Sequence, residues 1–136
     1  MEQNDAESAK WHRKAAEQGE AKSQFFLSLY NNKGIGLEKD LAESVKWSRK
    51  AAEQNDPGGQ LLLGNCYRKG EGVKQDYVEA YAWYSMAAKA DEAAARGRDL
   101  LETMMSPQQV ADAWRRAQEL RTERDNRQKK TKGVRR

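Results

Sequence analysis

The sequence has one cysteine, one histidine and two prolines in 136 residues. A single thiol, Cys66, excludes a disulfide within the chain and a cysteine-rich zinc site. It reads as a small, half-buried core residue, in a chain that fits a reducing compartment. The lone His12, beside Trp11, has no second histidine and no cysteine cluster with which to hold a metal. No run of about 18 apolar residues occurs, so no transmembrane helix is expected. The N-terminus, MEQNDAESAK, is polar and acidic, unlike a signal peptide. A cytoplasmic location is expected for the chain as given, with a periplasmic or secreted one left open if the N-terminus is incomplete. Few prolines among 34% charged residues favour helices with solvated faces. The 38% hydrophobic residues can supply the core of one domain.

Charge is unevenly placed. Residues 121–136 carry eight Lys or Arg and two acids, whereas the first 120 residues carry 17 basic and 19 acidic residues. The net charge of +4 is therefore a property of the C-terminal end.

What is present is a repeat. Residues 34–52, GIGLEKDLAESVKWSRKAA, return 36 residues later as GEGVKQDYVEAYAWYSMAA, residues 70–88. Gly34, Gly36, Asp40, Glu43, Trp47 and Ala51–Ala52 map onto Gly70, Gly72, Asp76, Glu79, Trp83 and Ala87–Ala88. One period earlier stand Glu7, Trp11 and Ala15–Ala16. A fixed period of this length signals a stack of helical units.

The local signals divide the chain into seven helices with short loops and no strand. Asn4 with Glu7 predicts a capping box for the first helix, and Gly19 its end. A second helix is expected over 21–32, with the apolar cluster Phe25, Phe26, Leu27, Leu29 and Tyr30. Asp40-x-x-Glu43 and Asp76-x-x-Glu79 predict capped starts for the third and fifth helices. Asp56-Pro57 opens the fourth, over 57–69, which carries Leu61, Leu62, Leu63 and Tyr67. A sixth helix is expected over 92–104. Ser106-Pro107-Gln108-Gln109 starts a last one, with Val110, Ala113, Trp114, Ala117 and Leu120 at helical spacing. Beyond Thr122 the apolar period ends, and a disordered tail is expected.

Residues 63–88 carry Leu63, Gly64, Tyr67, Gly70, Gly72, Val73, Asp76, Ala80, Trp83, Ala87 and Ala88. Residues 27–52 repeat most of this set, with Ser28 and Asn31 where glycine and tyrosine are expected. In these positions the chain resembles the Sel-1-like repeat family, relatives of the tetratricopeptide repeat. The resemblance covers about residues 4–122. It implies an all-α solenoid of antiparallel helix pairs wound into a right-handed superhelix. The expected divisions are a half-repeat at 1–20, which is a second helix without its first, repeats at 21–55 and 57–91, capping helices at 92–122, and the tail at 123–136. The half-repeat is either a truncation or the natural start of the array.

Catalytic patterns are weak. Gly34-x-Gly36 and Gly70-x-Gly72 follow helices rather than strands and lack a third glycine, so they read as turns rather than phosphate loops. Some relatives are linked to β-lactam hydrolysis, but no serine here has a lysine three residues on. Nothing local pairs His12 with Cys66 as base and nucleophile. Trp11, Trp47 and Trp83, each near an Ala-Ala pair, are expected to pack rather than to form a ligand ladder.

The resemblance implies a non-enzymatic adaptor or scaffold that binds a protein or peptide, with no cofactor, metal or small-molecule substrate. By register the first helices of each pair would line the concave face and present Lys22, Phe25, Leu29, Asn32, Leu61, Asn65 and Arg68. The alternative is nucleic-acid or anionic-membrane association through the basic tail, by phosphate neutralisation. That tail has no interleaved aromatics for base stacking.

Overall fold

The structure, a computed structural model, describes the backbone of residues 2–134 and the side chains of residues 4–130. Seven helices follow one another: α1 (Glu2–Glu17), α2 (Ala21–Lys33), α3 (Leu41–Glu53), α4 (Pro57–Lys69), α5 (Tyr77–Ala87), α6 (Glu92–Met104) and α7 (Pro107–Val134). Among the described residues there is no strand.

Five of the seven starts, those of α3 to α7, have a side-chain cap, whereas Glu20 before α2 makes no such bond. Asp40, Asp56, Asp76 and Asp91 are extended N-caps whose carboxylates accept backbone N–H bonds from the first turn. Ser106 and Gln109 bond each other reciprocally, Gln109 N–H to Ser106 Oγ at 3.1 Å and Ser106 N–H to Gln109 Oε1 at 2.9 Å. Three expected boxes differ. Asn4 lies inside α1, which already runs from Glu2. Glu43 and Glu79 do not reach back to their caps, because the Asp40 and Asp76 N–H groups already donate to Asn31 O and Tyr67 O. Those carboxylates are left free for other partners.

The turns after α2 and α4 need glycine twice over. Gly36 and Gly72 hold left-handed φ values of 69° and 76°. A Cβ on Gly36 would also lie 2.2 Å from Asp5 O, and one on Gly72 2.3 Å from Leu41 O. Each loop thus rests on the start of the preceding second helix, which couples successive units.

Consecutive helices pack pairwise from α1 to α6. α2 and α4 also touch directly, more extensively than α1 does α3 or α3 does α5. α2 and α4 therefore come closer to each other than the second helices α1, α3 and α5 do, whereas α6 does not approach α4 in the same way. The end of the stack is different: α7 lies on α5 rather than pairing with α6 as α3 does with α2.

Trp47 and Trp83 are buried as expected. Trp47 sits with Ala16 and Leu27, and Trp83 with Leu63, Val45, Ala117 and Leu120. Trp11 is 66% exposed, contrary to the packing expectation. What covers Trp47 is the leucine of its own first helix, and among the described residues no corresponding helix lies over Trp11. Trp114 is also exposed, and its indole N–H donates to Tyr81 Oη at 3.0 Å. Cys66 is fully buried rather than half-buried.

The tail also departs from expectation. Residues 123–134 continue α7 instead of being disordered. No glycine or proline interrupts this stretch before Gly133. Arg116 joins Glu119 at 3.2 Å and Glu123 at 3.6 Å across successive turns. Arg135 and Arg136 lie outside the described residues.

Candidate binding face

A common count from each N-cap, at Glu20, Asp56 and Asp91, puts the first helices α2, α4 and α6 in register. Positions 4, 7, 8 and 11 of α2 (Gln24, Leu27, Ser28, Asn31) are buried. They face α3 and the end of α1: Ser28 Oγ donates to Ser44 O, Leu27 packs with Trp47 and Ala16, and Gln24 donates to Ala16 O while accepting from Gln54 beyond the end of α3. Positions 3, 6 and 10 (Ser23, Phe26, Tyr30) face α1 through His12 and Ser8. The remaining face carries positions 2, 5, 9, 12 and 13.

All seven expected face residues fall on it. Lys22, Phe25, Leu29 and Asn32 come from α2, and Leu61, Asn65 and Arg68 from α4. None is buried. Phe25 lies over the start of α4, where a Cβ on Gly58 would be 2.8 Å from its ring. Lys22 Nζ sits 5.2 Å from the centre of that ring and 3.2 Å from Asp56 Oδ1. Leu61 belongs partly to the core under α5 and α6. Phe25 and Leu29 belong to no core cluster.

The polar end of the face is tied together by a residue that sequence reasoning missed. Tyr84 of α5 is buried, and its ring lies between Gly64 of α4 and Gly97 of α6. A Cβ on Gly64 would come within 2.6 Å of it. The Tyr84 hydroxyl accepts from Arg68 Nε at 2.9 Å and donates to Asn65 Oδ1. Burial pushes this phenol above its ordinary range, with Arg68 opposing, so it stays protonated and able to donate. On the neighbouring edge Asn32 Nδ2 donates to Glu71 Oε1 at 3.4 Å.

α6 adds two further residues. By the capping count Leu100 and Met104 occupy the places held by Asn65 and Lys69 on α4, and both are more than half exposed. Asp91 was the signal that could have found them: it shortens the third period by one residue, which a strict 36-residue count conceals.

No catalytic arrangement emerges among the described residues. His12 stacks on Phe26 at 4.9 Å, while Cys66 lies in a separate core with Val45 and Leu63. Burial raises the Cys66 thiol to about 11, far from thiolate character at neutral pH. Among the described residues no group of three or more His, Cys, Asp or Glu could hold a metal. One surface depression of about 350 Å³ lies beside Arg13, Leu37 and Asp40, and another of about 400 Å³ runs along Arg115, Glu119 and Glu123. Neither gathers a nucleophile with a base.

A profile of the Sel1 repeat matches residues 1–20, 21–56 and 57–92. The chain belongs to the Sel1 repeat family. Sel1 repeats generally serve as protein–protein interaction modules in non-enzymatic scaffolds. Among solved structures, the chain resembles c5321, described as a protective antigen present in uropathogenic Escherichia coli strains and displaying an SLR fold. There the identity is 34% and the TM-score 0.81, over 89% of this chain and 27% of that one. It also resembles a Sel1 repeat protein from Oxalobacter formigenes, with 44% identity and a TM-score of 0.63, over 68% of this chain and 38% of that one. The chain thus spans less than two fifths of either structure. No curated protein matches it.

Proposed function

We propose that this Sel1 array is an adaptor that holds a peptide or protein segment on the free face of α2 and α4, the concave side of the stack. One observation carries the reading. Phe25 and Leu29 are apolar, share one helical face, stand outside every core cluster and sit on α2 where it meets α4. Apolar anchors of this kind dominate peptide interfaces, each at about 2 kcal/mol or more on truncation. Asn65 and Arg68 edge the anchors with hydrogen-bonding groups suited to backbone or side-chain polar atoms.

The test is the double substitution Phe25→Ala with Leu29→Ala. Partner capture should fall at least about tenfold while the thermal midpoint stays near that of the wild type. Leu61→Ala is less clean, because Leu61 also packs under α5 and α6. Retained capture, or a collapsed melt, removes the reading.

The second reading is nucleic-acid or anionic-membrane association through the end of α7. Its support is that no acid follows Asp125, so Arg127, Lys129, Lys130 and Lys132 extend a helical rod of one charge sign. It predicts binding that weakens steeply with salt and is lost on deleting residues 123–136.

A further inference from the structure

The charged residues at positions 2, 5, 9, 12 and 13 of the first helices are Lys22, Lys33, Arg68, Lys69 and Arg96; none is acidic. Lys22 is spent on Asp56 and Arg96 loosely on Glu92 at 3.9 Å. Arg68 is different. Among the described residues no carboxylate lies within ion-pair distance of it. The nearby acid on the same edge, Glu71, is engaged by Asn32.

An unpaired arginine is ordinary when it is exposed and mobile. Arg68 is half-buried, and its Nε is fixed by the Tyr84 hydroxyl, itself fixed by Asn65 and clamped between two glycines. That tether uses one edge of the guanidinium and leaves the Nη donors uncommitted. The Asn65 carbonyl accepts from Tyr84, and its amide N–H groups, which are separate donors, make no bond among the described residues. The result is a set of donors with no acceptor, held in place before any partner arrives. Preorganised donors of this geometry match a carboxylate, which arginine can grip with two parallel bonds.

We infer that Arg68, positioned by Tyr84 and Asn65, reads a carboxylate on an acidic segment whose apolar side chains lie over Phe25 and Leu29. This rests on the binding-face reading above and names the chemistry of its partner. The charge of the face supports the choice: an acidic segment meets Lys33, Arg68 and Lys69 without a like charge at these positions.

The probes are fluorescein-labelled nine-residue peptides containing two leucines and three glutamates, or glutamines in their place. Each is made as free acid and as C-terminal amide, and anisotropy is read against the full chain. The glutamate peptide should bind about tenfold or more tighter than the glutamine peptide. Arg68→Gln should bring that ratio near one without weakening the glutamine peptide, with a thermal melt confirming the fold. Arg68→Lys keeps the charge but cannot hold Tyr84 through Nε, so its ratio should fall between the two. That variant carries the test if the glutamine substitution does not fold. Sensitivity to the glutamine exchange assigns the carboxylate to side chains, and sensitivity to amidation assigns it to the chain end; either supports the inference. Equal binding of all four peptides overturns it and leaves the apolar face standing. So does a ratio that survives Arg68→Gln but vanishes when Arg121 and Arg124 are neutralised. Failure of every peptide to bind overturns the inference and the face together.

Discussion

The three tryptophans at one period show what a neighbour does to a residue. Trp47 is 3% exposed and Trp11 66%, although each stands near an Ala-Ala pair. Trp47→Ala should cost roughly 3–5 kcal/mol, as a large-to-small core change. Trp11→Ala should stay within about 0.5 kcal/mol, as a surface change. Denaturant melts check both, and equal losses would contradict the packing account. Helical spacing reveals which face a tryptophan occupies; it does not reveal whether another helix covers that face. That is why Trp11 departs from the packing expectation while Trp47 and Trp83 meet it. Cys66 gives a second residue-scale prediction. Its thiol is raised by burial from 9.0 to about 11, so the neutral form is favoured in the fold. Its contribution to stability is full below pH 9 and is lost as pH rises towards 11. Alkaline melts of the wild type should fall more steeply across that window than those of Cys66→Ala, and iodoacetamide should label the native chain slowly at pH 8.

The helices α3 to α7 were legible from their caps, and their bonds across the stack were not. Asp40→Ala and Asp76→Ala should each cost about 1 kcal/mol, through one lost N-terminal bond. Unchanged melts for both would place the helix starts elsewhere. The paired glutamates behave differently because of context. Glu43 accepts the Trp47 indole N–H at 3.1 Å. Glu79 instead receives Arg116 of α7 at 2.6 Å, and the buried Trp83 Nε1 is left without a partner. Docking of α7 therefore replaces one interaction of the repeat with another. Removing Arg116 should loosen α7 by about 1.5–3 kcal/mol, the range for a hydrogen bond to a charged group. Hydrogen exchange should speed up along residues 107–120, and Glu79 becomes available to Trp83. Unchanged protection there would show that Ala113, Ala117 and Leu120 hold α7 alone. A period count could not show this exchange, since Glu43 and Glu79 are the same residue in the same place. The far part of α7 was read as disordered because its apolar period ends. Helical charge spacing and the absence of a breaker before Gly133 keep it regular. Deleting residues 124–136 spares Glu123 and should lower the helical circular dichroism signal with little change in midpoint.

At the scale of the whole molecule, the repeat period and the caps are enough to place α2 and α4 side by side. The seven face residues follow from register alone. What binds them into a site does not: Tyr84 lies 16 residues from Arg68 and 19 from Asn65, and meets them only because α5 packs on α4. Gly64 is part of the repeat pattern, yet the ring it admits belongs to this chain's own sequence, since one period back the same place holds Ser48. The central claim is that this face, rather than the second helices or the basic end of α7, receives the partner. The most direct measurement is an amide NMR titration of the labelled chain with the leucine–glutamate peptide. Shifts should concentrate on α2 and α4 around Phe25, Leu29, Asn65 and Arg68, and disappear in the Phe25→Ala with Leu29→Ala variant. Shifts confined to α3 and α5, or to residues 121–134, would contradict the account.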